Sequence, residues 1–331
     1  MLKLYYFPPY IEKNLDTNPY SSNFKEALSH YFDVIEKDYK HKGLARISFI
    51  QKAFLADVYV LNWVESIGKG IKNLPLFLAS YLGVLIILIR RKKIIWMFHN
   101  IHPHSGENYY SRTIQSLLYN HSTAIVSHSK EAMTYAKSRA KCQVDYVCHP
   151  VTRFTHGKVA NRNCDILIWG AILPYKGIAE FVSLPEIQAS PLDIRIIGKC
   201  KDRDLEKKIS SFCNEHISFE NRFADIDELS ELCKSSKFVL FPYLSESVSS
   251  SGALIDTVAM GGTPVGPCVG AFKDLEYEGV CFTYKDKASM LRLLQENITI
   301  NDKARNLFID NNSWEALGKR IFNIVNNEND N

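Results

Sequence analysis

The stretch DILIWGAILPYKG, residues 165–177, joins a short apolar run to a turn bounded by Gly170 and Gly177. An apolar run of this length that ends in a glycine is typical of a strand buried in a parallel sheet. Lys176 lies in the turn, and a lysine at the carboxyl end of a parallel strand can reach a phosphate group. The stretch therefore predicts a strand followed by an anion-binding turn.

Similar apolar runs recur on both sides of this stretch and alternate with helical patterns. Apolar side chains have helical spacing at Phe24, Leu28 and Phe32, and again over residues 304–325. Alternating strands and helices form βαβ units, so we predict an α/β protein with parallel sheets. The predicted strands span residues 2–7, 57–61, 94–98, 124–127, 165–169, 194–197, 238–241 and 263–265.

The length of 331 residues is sufficient for two domains of ordinary size. Residues 149–163 contain Pro150, Gly157 and several basic side chains without apolar periodicity, which is typical of a linker. We predict Rossmann-like domains at residues 1–150 and 164–303, and a C-terminal helix at 304–331 that can pack back on the first domain.

Composition and charge are those of an ordinary globular protein. Hydrophobic residues make up 46% and charged residues 23% of the chain, which excludes disordered, collagen-like and coiled-coil classes. The net charge of +4 is too small to indicate a nucleic-acid-binding protein. Residues 1–7 lack the basic lead and cleavage site of a signal peptide, so we expect a cytoplasmic protein.

Neither the cysteines nor the acidic pairs indicate a metal site. The eight cysteines include no Cys-x-x-Cys pair, and buried free thiols are favoured over a metal cluster at Cys142, Cys148 and His149. Asp225 and Asp227 have the spacing of metal-binding carboxylates, but they precede a helical run, so a helix cap is favoured. We predict no metal and no bound cofactor.

Two common nucleotide-binding motifs are absent from the sequence. No glycine precedes Gly43, which excludes the glycine-rich turn of a dinucleotide-binding domain after the first strand. The chain contains no Gly-Lys-Ser or Gly-Lys-Thr, which excludes the phosphate-binding loop of nucleoside triphosphatases.

The stretch Ser249-Ser250-Ser251-Gly252 is a second candidate anion site. It follows the predicted strand 238–241 and precedes a helical segment. Small residues at a helix N-terminus leave backbone N–H groups open to an anion, and the helix dipole adds to the attraction. We expect Gly252 to be the least replaceable residue, because close approach to a phosphate and the backbone angle would both favour glycine. A serine helix cap without a ligand is the alternative.

These stretches together resemble the donor-binding half of GT-B glycosyltransferases, in particular glycosyltransferase family 4 and related bacterial polysaccharide-assembly transferases. In that family Gly-x-x-x-Pro-x-Lys-Gly and a Ser-Ser-Gly or Glu-Gly-Phe-Gly turn hold the diphosphate of the sugar nucleotide. Residues 18–20, 62–65 and 96–104 are similar to its Asn-Pro-Tyr, His-Trp-Pro-Glu and Thr-x-His-Asn-x-x-Pro-His signatures. The matches occur in order over nearly the whole chain.

The resemblance implies a GT-B fold, with two Rossmann-like domains whose parallel sheets face a central cleft. The first domain would bind the acceptor and the second the nucleotide sugar, without a metal. The donor-binding residues that it implies are Gly170, Tyr175, Lys176, Arg222, Phe223, Ser249, Ser250, Ser251, Gly252 and Asp256. The acceptor-binding residues that it implies are Tyr20, Trp63 and His104, and the catalytic ones are His99 and Glu107.

The role of His99 follows from the same resemblance. His99 ends a predicted strand and would contact the donor sugar, although a histidine with a purely structural role is the alternative. In a retaining enzyme the leaving phosphate can take the proton of the acceptor. In an inverting enzyme Glu107 or Glu65 would be the general base.

The sequence departs from the family pattern at the diphosphate and ribose positions. The two glutamates of the family would fall at Ser249 and Thr257, and Asp256 is the nearest acid to the second. A basic residue expected near Ala171 or Leu173 is also missing. These departures concern the affinity for the donor and its identity rather than the fold.

Residues 74–89 form an uncharged apolar run that is followed by four basic residues, Arg90 to Lys93. A membrane span needs about 20 such residues, and this run leads directly into a predicted strand, so we predict that it does not span. A buried helix and a helix resting on an anionic bilayer are the two alternatives. The second would make the protein peripheral on the inner face of the cell membrane.

The predicted function is therefore transfer of a sugar from a UDP- or GDP-sugar to a glycan or lipid-linked saccharide in bacterial capsule, exopolysaccharide or lipopolysaccharide assembly. Nucleic acid is not an expected partner. One rival is a GT-B sugar-nucleotide epimerase, which would transfer nothing. The other is a catalytically lapsed GT-B subunit that binds a partner transferase, an alternative that the missing glutamates leave open.

Overall fold

A computed structural model describes residues 1–9, 19–35, 48–99, 101, 108–154, 164–244, 248 and 250–326. The chain divides into two compact units. Unit 1 comprises Met1–Pro150 together with Trp314–Asn331, and unit 2 comprises Val151–Ser313.

Both units consist of strands that alternate with helices. The strands of unit 1 are β1 (Lys3–Phe7), β2 (Asp33–Val34), β3 (Val58–Asn62), β4 (Lys93–Phe98), β5 (Ala124–Ser127) and β6 (Gln143–Tyr146). The strands of unit 2 are β7 (Cys164–Trp169), β8 (Ile194–Ile197), β9 (Ile217–Glu220), β10 (Ser236–Leu240), β11 (Pro264–Pro267) and β12 (Phe282–Tyr284). The helices of unit 1 span Tyr20–Ser29, Leu74–Ile89, Tyr109–His121, Lys130–Lys137 and Trp314–Asn326. The helices of unit 2 span Ile178–Val182, Pro185–Gln188, Arg203–Ser210, Ile226–Ser235, Gly252–Ala259, Gly270–Tyr277, Lys287–Gln295 and Asp302–Asn311.

Each unit contains one six-stranded sheet whose paired strands run parallel, so the predicted α/β class is confirmed. The strand order is β2-β1-β3-β4-β5-β6 in unit 1 and β12-β11-β10-β7-β8-β9 in unit 2. The order reverses direction between β1 and β3 and between β7 and β10. Ligands of open parallel sheets bind outside the carboxyl ends of the strands at such reversals.

The core of unit 1 lies on both faces of its sheet, because successive side chains of a strand point to opposite faces. Tyr59, Trp96 and Phe98 belong to one buried cluster, which also holds the buried side of the helix Leu74–Ile89. Val60, Met97 and their neighbours belong to the other, which is covered by the helices Tyr20–Ser29 and Trp314–Asn326. The central strands are therefore apolar throughout, as parallel sheets covered on both faces require.

The prediction of one continuous helix over residues 304–325 is wrong, because the structure has two helices there. One, Asp302–Asn311, belongs to unit 2, and the other, Trp314–Asn326, belongs to unit 1. Helical geometry is lost at Asn312, whose φ is −118° and ψ is 35°. Asparagine and serine side chains compete for backbone hydrogen bonds, so residues 311–313 favour a helix end.

The helix Leu74–Ile89 has the bounds of the predicted apolar run. Together with the preceding turn, Ile71–Ile89 is the one helix of the described residues that is long and apolar enough to cross a membrane by length and composition. It ends shortly before β4, which pairs with β3 on one side and β5 on the other.

Gly177 allows a close approach between two chain segments of unit 2. Its φ is +65°, in the left-handed region, and a Cβ at this position would lie 2.1 Å from the carbonyl oxygen of Pro242. The segment that follows β10 can therefore lie directly against the turn that follows β7.

Gly177→Ala should lower the free energy of unfolding of unit 2 by at least about 2 kcal/mol, because the left-handed conformation alone costs about 1–2 kcal/mol and a clash is added. Urea unfolding measures this loss. Gly252→Ala is the matched control, since no atom of the described residues lies within 4 Å of its Cβ position. Equal stability of the two variants would show that the Gly177 contact imposes no constraint.

Candidate functional site

The carboxyl edge of the unit 2 sheet brings the two predicted anion-binding stretches together. Gly170 directly follows β7 and leads into the turn Pro174–Lys176. A Cβ placed on Gly170 would lie 3.4 Å from Lys176 Nζ and 3.7 Å from the Cβ of Ala253, in the first turn of the helix Gly252–Ala259. The lysine turn and the start of this helix therefore adjoin where the strand order reverses between β7 and β10.

Lys176 is a buried cation for which the described residues provide no counter-charge. The residue is 7% exposed, and its Nζ lies 5.6 Å from the centroid of the Tyr243 ring. Among the described residues it has no ion pair and no hydrogen-bond acceptor for its ammonium group. Burial lowers the pKa of Lys176 to about 8, because desolvation without an opposite charge favours the neutral amine. A bound anion would supply the missing charge.

The helix Gly252–Ala259 begins with a serine cap. The Ser251 hydroxyl accepts from Leu254 N at 3.4 Å and lies 3.4 Å from the hydroxyl of Tyr243. The expectation that the backbone angle restricts Gly252 is wrong, since its φ is not left-handed, and no atom of the described residues lies within 4 Å of its Cβ position. An intolerance of larger residues there would therefore not come from a contact within the described part of the chain.

The other predicted donor-binding residues lie in differing surroundings. Tyr175 is 43% exposed and its ring meets the Tyr243 ring edge to face at 5.7 Å. Phe223 is exposed, and Ser250 is half-buried. Ser249 lies outside the described residues. Their contacts with a donor stay predictions.

Arg222 is held by two carboxylates. Its Nε donates to Glu220 at 2.9 Å and its Nη1 donates to Glu228 at 2.8 Å, which raises the pKa of the guanidinium further. Its charge is thus already balanced within unit 2. Asp225, predicted to cap a helix, does so, since its Oδ1 accepts from Glu228 N at 2.8 Å.

The positions of the missing family glutamates differ in what they contact. Thr257 is fully buried, and its hydroxyl accepts from the Trp169 indole at 2.9 Å and donates to Ala253 O at 2.7 Å. Asp256 is half-buried one turn after Gly252, and desolvation raises the pKa of its carboxyl group to about 7. Thr257 therefore has a structural role, and Asp256 is a carboxyl group for which the described residues provide no hydrogen-bond donor.

The carboxyl edge of the unit 1 sheet holds an aromatic cluster centred on Tyr20. The side chains around the Tyr20 ring, with ring centroids 5.2 to 5.8 Å away, are Phe24, Trp63, His99, His128, His149 and Trp314. Trp63 has a left-handed φ of 50° and stacks on His99 at 4.4 Å. Tyr20, predicted to bind the acceptor, is 3% exposed and organises this packing, so its contact with an acceptor stays a prediction.

Hydrogen bonds fix the proton positions of His128 and His99 in this cluster. His128 Nδ1 lies 2.8 Å from Val147 O, and because a carbonyl only accepts, Nδ1 carries the proton and Nε2 accepts from the Tyr20 hydroxyl at 2.7 Å. His99 Nε2 lies 2.8 Å from Asn62 Oδ1, whose amide is oriented by donation from Nδ2 to Phe7 O at 3.2 Å. His99 therefore donates from Nε2 and keeps a lone pair on Nδ1.

Burial keeps these histidines neutral. Desolvation lowers the pKa of His99 well below its usual value, and it lowers the pKa of His128 to about 4 and that of His149 to about 3. Neighbouring histidines lower the pKa values of His99 and His149 further. At neutral pH the cluster thus offers imidazole lone pairs, which accept hydrogen bonds from hydroxyl groups, rather than positive charge.

Two predicted residues of the first half, Glu107 and His104, lie outside the described residues. Glu65, the alternative base, is 4% exposed and its Oε2 accepts from the Trp96 indole at 3.2 Å. Among the described residues, no group of three or more His, Cys, Asp or Glu side chains is arranged to hold a metal ion.

Sequence reasoning missed four residues that the structure brings to the two sites. His128 and His149 follow β5 and β6 as His99 follows β4, and their positions after strands are a signal that could have identified them. Tyr243, beside Lys176, follows β10 in the same way. Trp314 carries no local signal, since it reaches the cluster from the far end of the chain.

The chain is similar to several solved structures over nearly its whole length. It matches sucrose-phosphate synthase from Thermosynechococcus elongatus with a TM-score of 0.71 and 11% identity, over 99% of each chain. It matches HepE from Anabaena in complex with UDP-glucose with a TM-score of 0.61 and 13% identity, over 98% of this chain and 97% of that chain. It matches AviGT4, a glycosyltransferase involved in avilamycin A biosynthesis, with a TM-score of 0.63 and 12% identity, over 98% and 97%.

No protein-family model and no curated protein matches the chain. At these low identities the structural likeness shows the fold, and the predicted GT-B fold is confirmed. Membership of glycosyltransferase family 4 stays a prediction.

The neutral histidines predict an acid-sensitive unit 1. Unfolded histidines bind protons below about pH 6.5, whereas folded His128 stays neutral down to about pH 4. The unfolded state therefore binds more protons in this window, and stability falls as the pH drops through it. The free energy of unfolding, followed from pH 7 to 4.5, should fall less for His128→Phe than for the wild type.

His121→Phe, at an exposed position of the same unit, is the control, and this variant should keep the fall in stability that buried His128 causes. Parallel stability curves for the wild type and His128→Phe would contradict the assignment of a buried neutral imidazole.

Proposed function

We propose that this chain, which has the fold of GT-B glycosyltransferases, transfers a sugar from a nucleoside diphosphate sugar to a hydroxyl group of an acceptor. Unit 2 binds the donor. Unit 1 supplies the neutral His99, whose Nδ1 lone pair accepts a hydrogen bond from a sugar hydroxyl.

The observation that supports this proposal most strongly is the buried ammonium group of Lys176, for which the described residues provide no opposite charge. A diphosphate has the charge and the oxygen acceptors that this ammonium and the open N–H groups of the helix Gly252–Ala259 require. When the bond between sugar and phosphate breaks, negative charge grows on the leaving diphosphate. A cation already in place stabilises that charge without reorganisation.

Asp256 is the proposed ribose contact. The usual position of the family glutamate is occupied by Thr257, whose hydroxyl is bonded to Trp169 and Ala253. Asp256 has a carboxyl group without a donor among the described residues, one turn from the diphosphate end of the same helix. The two hydroxyls of a ribose would supply those donors and lower its raised pKa.

The proposal also specifies the acceptor and the pathway. The acceptor is a glycan or a lipid-linked saccharide, and the pathway assembles a bacterial capsule, exopolysaccharide or lipopolysaccharide. The ordered signatures at residues 18–20, 62–65 and 96–104 support this assignment through their similarity to polysaccharide-assembly transferases. No metal is proposed to take part.

A nucleotide panel and Lys176→Ala test the donor site. One of UDP, GDP, ADP and CMP should raise the melting temperature, since a ligand of the folded state stabilises it. In calorimetry Lys176→Ala should weaken binding of that nucleotide about 5- to 150-fold, which corresponds to about 1–3 kcal/mol for a charge-assisted hydrogen bond. Lys287→Ala, which removes a surface lysine paired with Glu186, should leave affinity unchanged.

Product analysis distinguishes the proposal from its rivals. Transfer releases the nucleoside diphosphate and lengthens a saccharide acceptor. An epimerase instead returns an isomeric nucleotide sugar and needs no acceptor. Nucleotide binding without turnover on any acceptor would support a lapsed subunit and contradict transfer, and unchanged affinity in Lys176→Ala would remove the lysine from the site.

A further inference from the structure

The helix Leu74–Ile89 of unit 1 has two apolar faces with different surroundings. Phe77, Val84 and Ile87 are buried in the core of unit 1. Gly83 lies against the Phe49 ring so closely that a Cβ there would be 2.5 Å from Cδ1. This buried face belongs to the fold, so the helix cannot leave the unit to cross a bilayer without opening the core.

The opposite face is exposed, and we call it the outer stripe. Its members are separated by three, four or seven residues, which places them along one side of a helix. It consists of Ile71, Leu74, Leu78, Leu82 and Ile89, which are 86%, 38%, 45%, 45% and 79% exposed. A continuous row of large apolar side chains in water marks an interaction surface more often than single exposed ones do.

Two further exposed apolar side chains lie at the C-terminal end of the helix. Phe54 and Leu55 are 54% and 51% exposed. They follow Ala53, whose carbonyl oxygen accepts from Arg90 Nη1 at 2.8 Å. The apolar surface of this end therefore extends beyond the helix itself.

Part of the basic run after the helix is bound within unit 1. Arg90 is held by the carbonyl of Ala53, Lys92 pairs with Asp57 at 2.8 Å, and Lys93 donates to the carbonyl of Val325. The expectation that all four residues face a lipid surface is therefore too broad. Arg91 is the exposed member of the run.

Exposed cations flank the outer stripe at both ends. Lys69 and Lys72 lie on either side of its first member, Ile71, and Arg91 lies after its last, Ile89. Residues 66–99 contain six Lys or Arg and no Asp or Glu. An apolar row with cations at both ends and no acid matches a helix that lies in the plane of a bilayer surface.

We propose that the outer stripe rests in the headgroup region of an anionic lipid bilayer. A second copy of this chain fits the charges poorly, because either orientation of two such helices would set cations against cations. The lipid surface instead provides negative headgroups for Lys69, Lys72 and Arg91 and an apolar boundary for the leucines. This inference goes beyond the proposed function and holds whether or not the chain transfers a sugar.

Vesicle sedimentation tests the proposal with the full chain. The wild type should bind vesicles of phosphatidylcholine with phosphatidylglycerol much more tightly than vesicles of phosphatidylcholine alone, and 0.5 M salt should weaken binding by screening. The double variant Leu78→Asn and Leu82→Asn should lower the partition coefficient at least about tenfold through lost apolar burial. The double variant Lys72→Gln and Arg91→Gln should lower the partition coefficient about 30-fold, which corresponds to about 1 kcal/mol for each of the two cations near the surface.

Leu307→Asn is the matched control, since Leu307 is 62% exposed in unit 2 and lies outside the outer stripe. It should bind vesicles like the wild type. Failure of the wild type to bind anionic vesicles at low salt would overturn the proposal, as would equal loss of binding in the control. Unchanged melting temperatures show that the variants are folded.

Insertion depth separates a resting helix from purely electrostatic contact. Tryptophan placed by Leu82→Trp should be quenched by lipids brominated on their acyl chains, and tryptophan placed by Leu307→Trp should not. Binding without quenching at position 82 would overturn the apolar part of the proposal. A dimer that forms without lipid and is lost in Leu78→Asn and Leu82→Asn, together with no vesicle binding, would assign the outer stripe to a second copy instead.

Discussion

Parallel pairing of every strand in the two sheets is the constraint on which both candidate sites depend. Strands that run in one direction all end at one edge, so the residue after each strand reaches that edge whatever its distance along the chain. In unit 1 this brings Asn62, His99 and His128 into one hydrogen-bonded and aromatic cluster. In unit 2 it brings Lys176 beside Tyr243. Helices pack against the faces of the sheets, and the buried side chains between them hold the strands in this arrangement.

Burial gives the two edges opposite electrostatic character. In the described part of unit 2, Lys176 is a buried cation that no carboxylate pairs with, and desolvation lowers its pKa. In unit 1 the histidines lose their charge instead, because burial disfavours the protonated imidazolium form. The first arrangement favours an anion such as a diphosphate, and the second favours neutral hydroxyl groups such as those of a sugar.

Sequence reasoning predicted the central strands and the fold class, because strands buried on both faces are continuous apolar runs. It did not predict β2, β6, β9 and β12, which are the outer strands of the two sheets. Sequences such as Gln143–Tyr146 alternate polar and apolar residues and lack that signal. In the candidate site it identified Lys176 and His99 from motifs. It missed Trp314, because only tertiary packing brings the C-terminal helix of unit 1 to Tyr20.

Proton uptake on donor binding shows whether the buried Lys176 ammonium group binds the diphosphate of the donor. A group with a pKa of about 8 is about half protonated at pH 8, and an adjacent diphosphate raises that pKa, so binding should take up about 0.5 proton. Calorimetry in buffers of different ionisation enthalpy measures this uptake, with the nucleotide sugar that raises the melting temperature most. The wild type should take up protons on donor binding, and Lys176→Met should take up none. Binding without proton uptake, or equal uptake by both proteins, would contradict this role of Lys176.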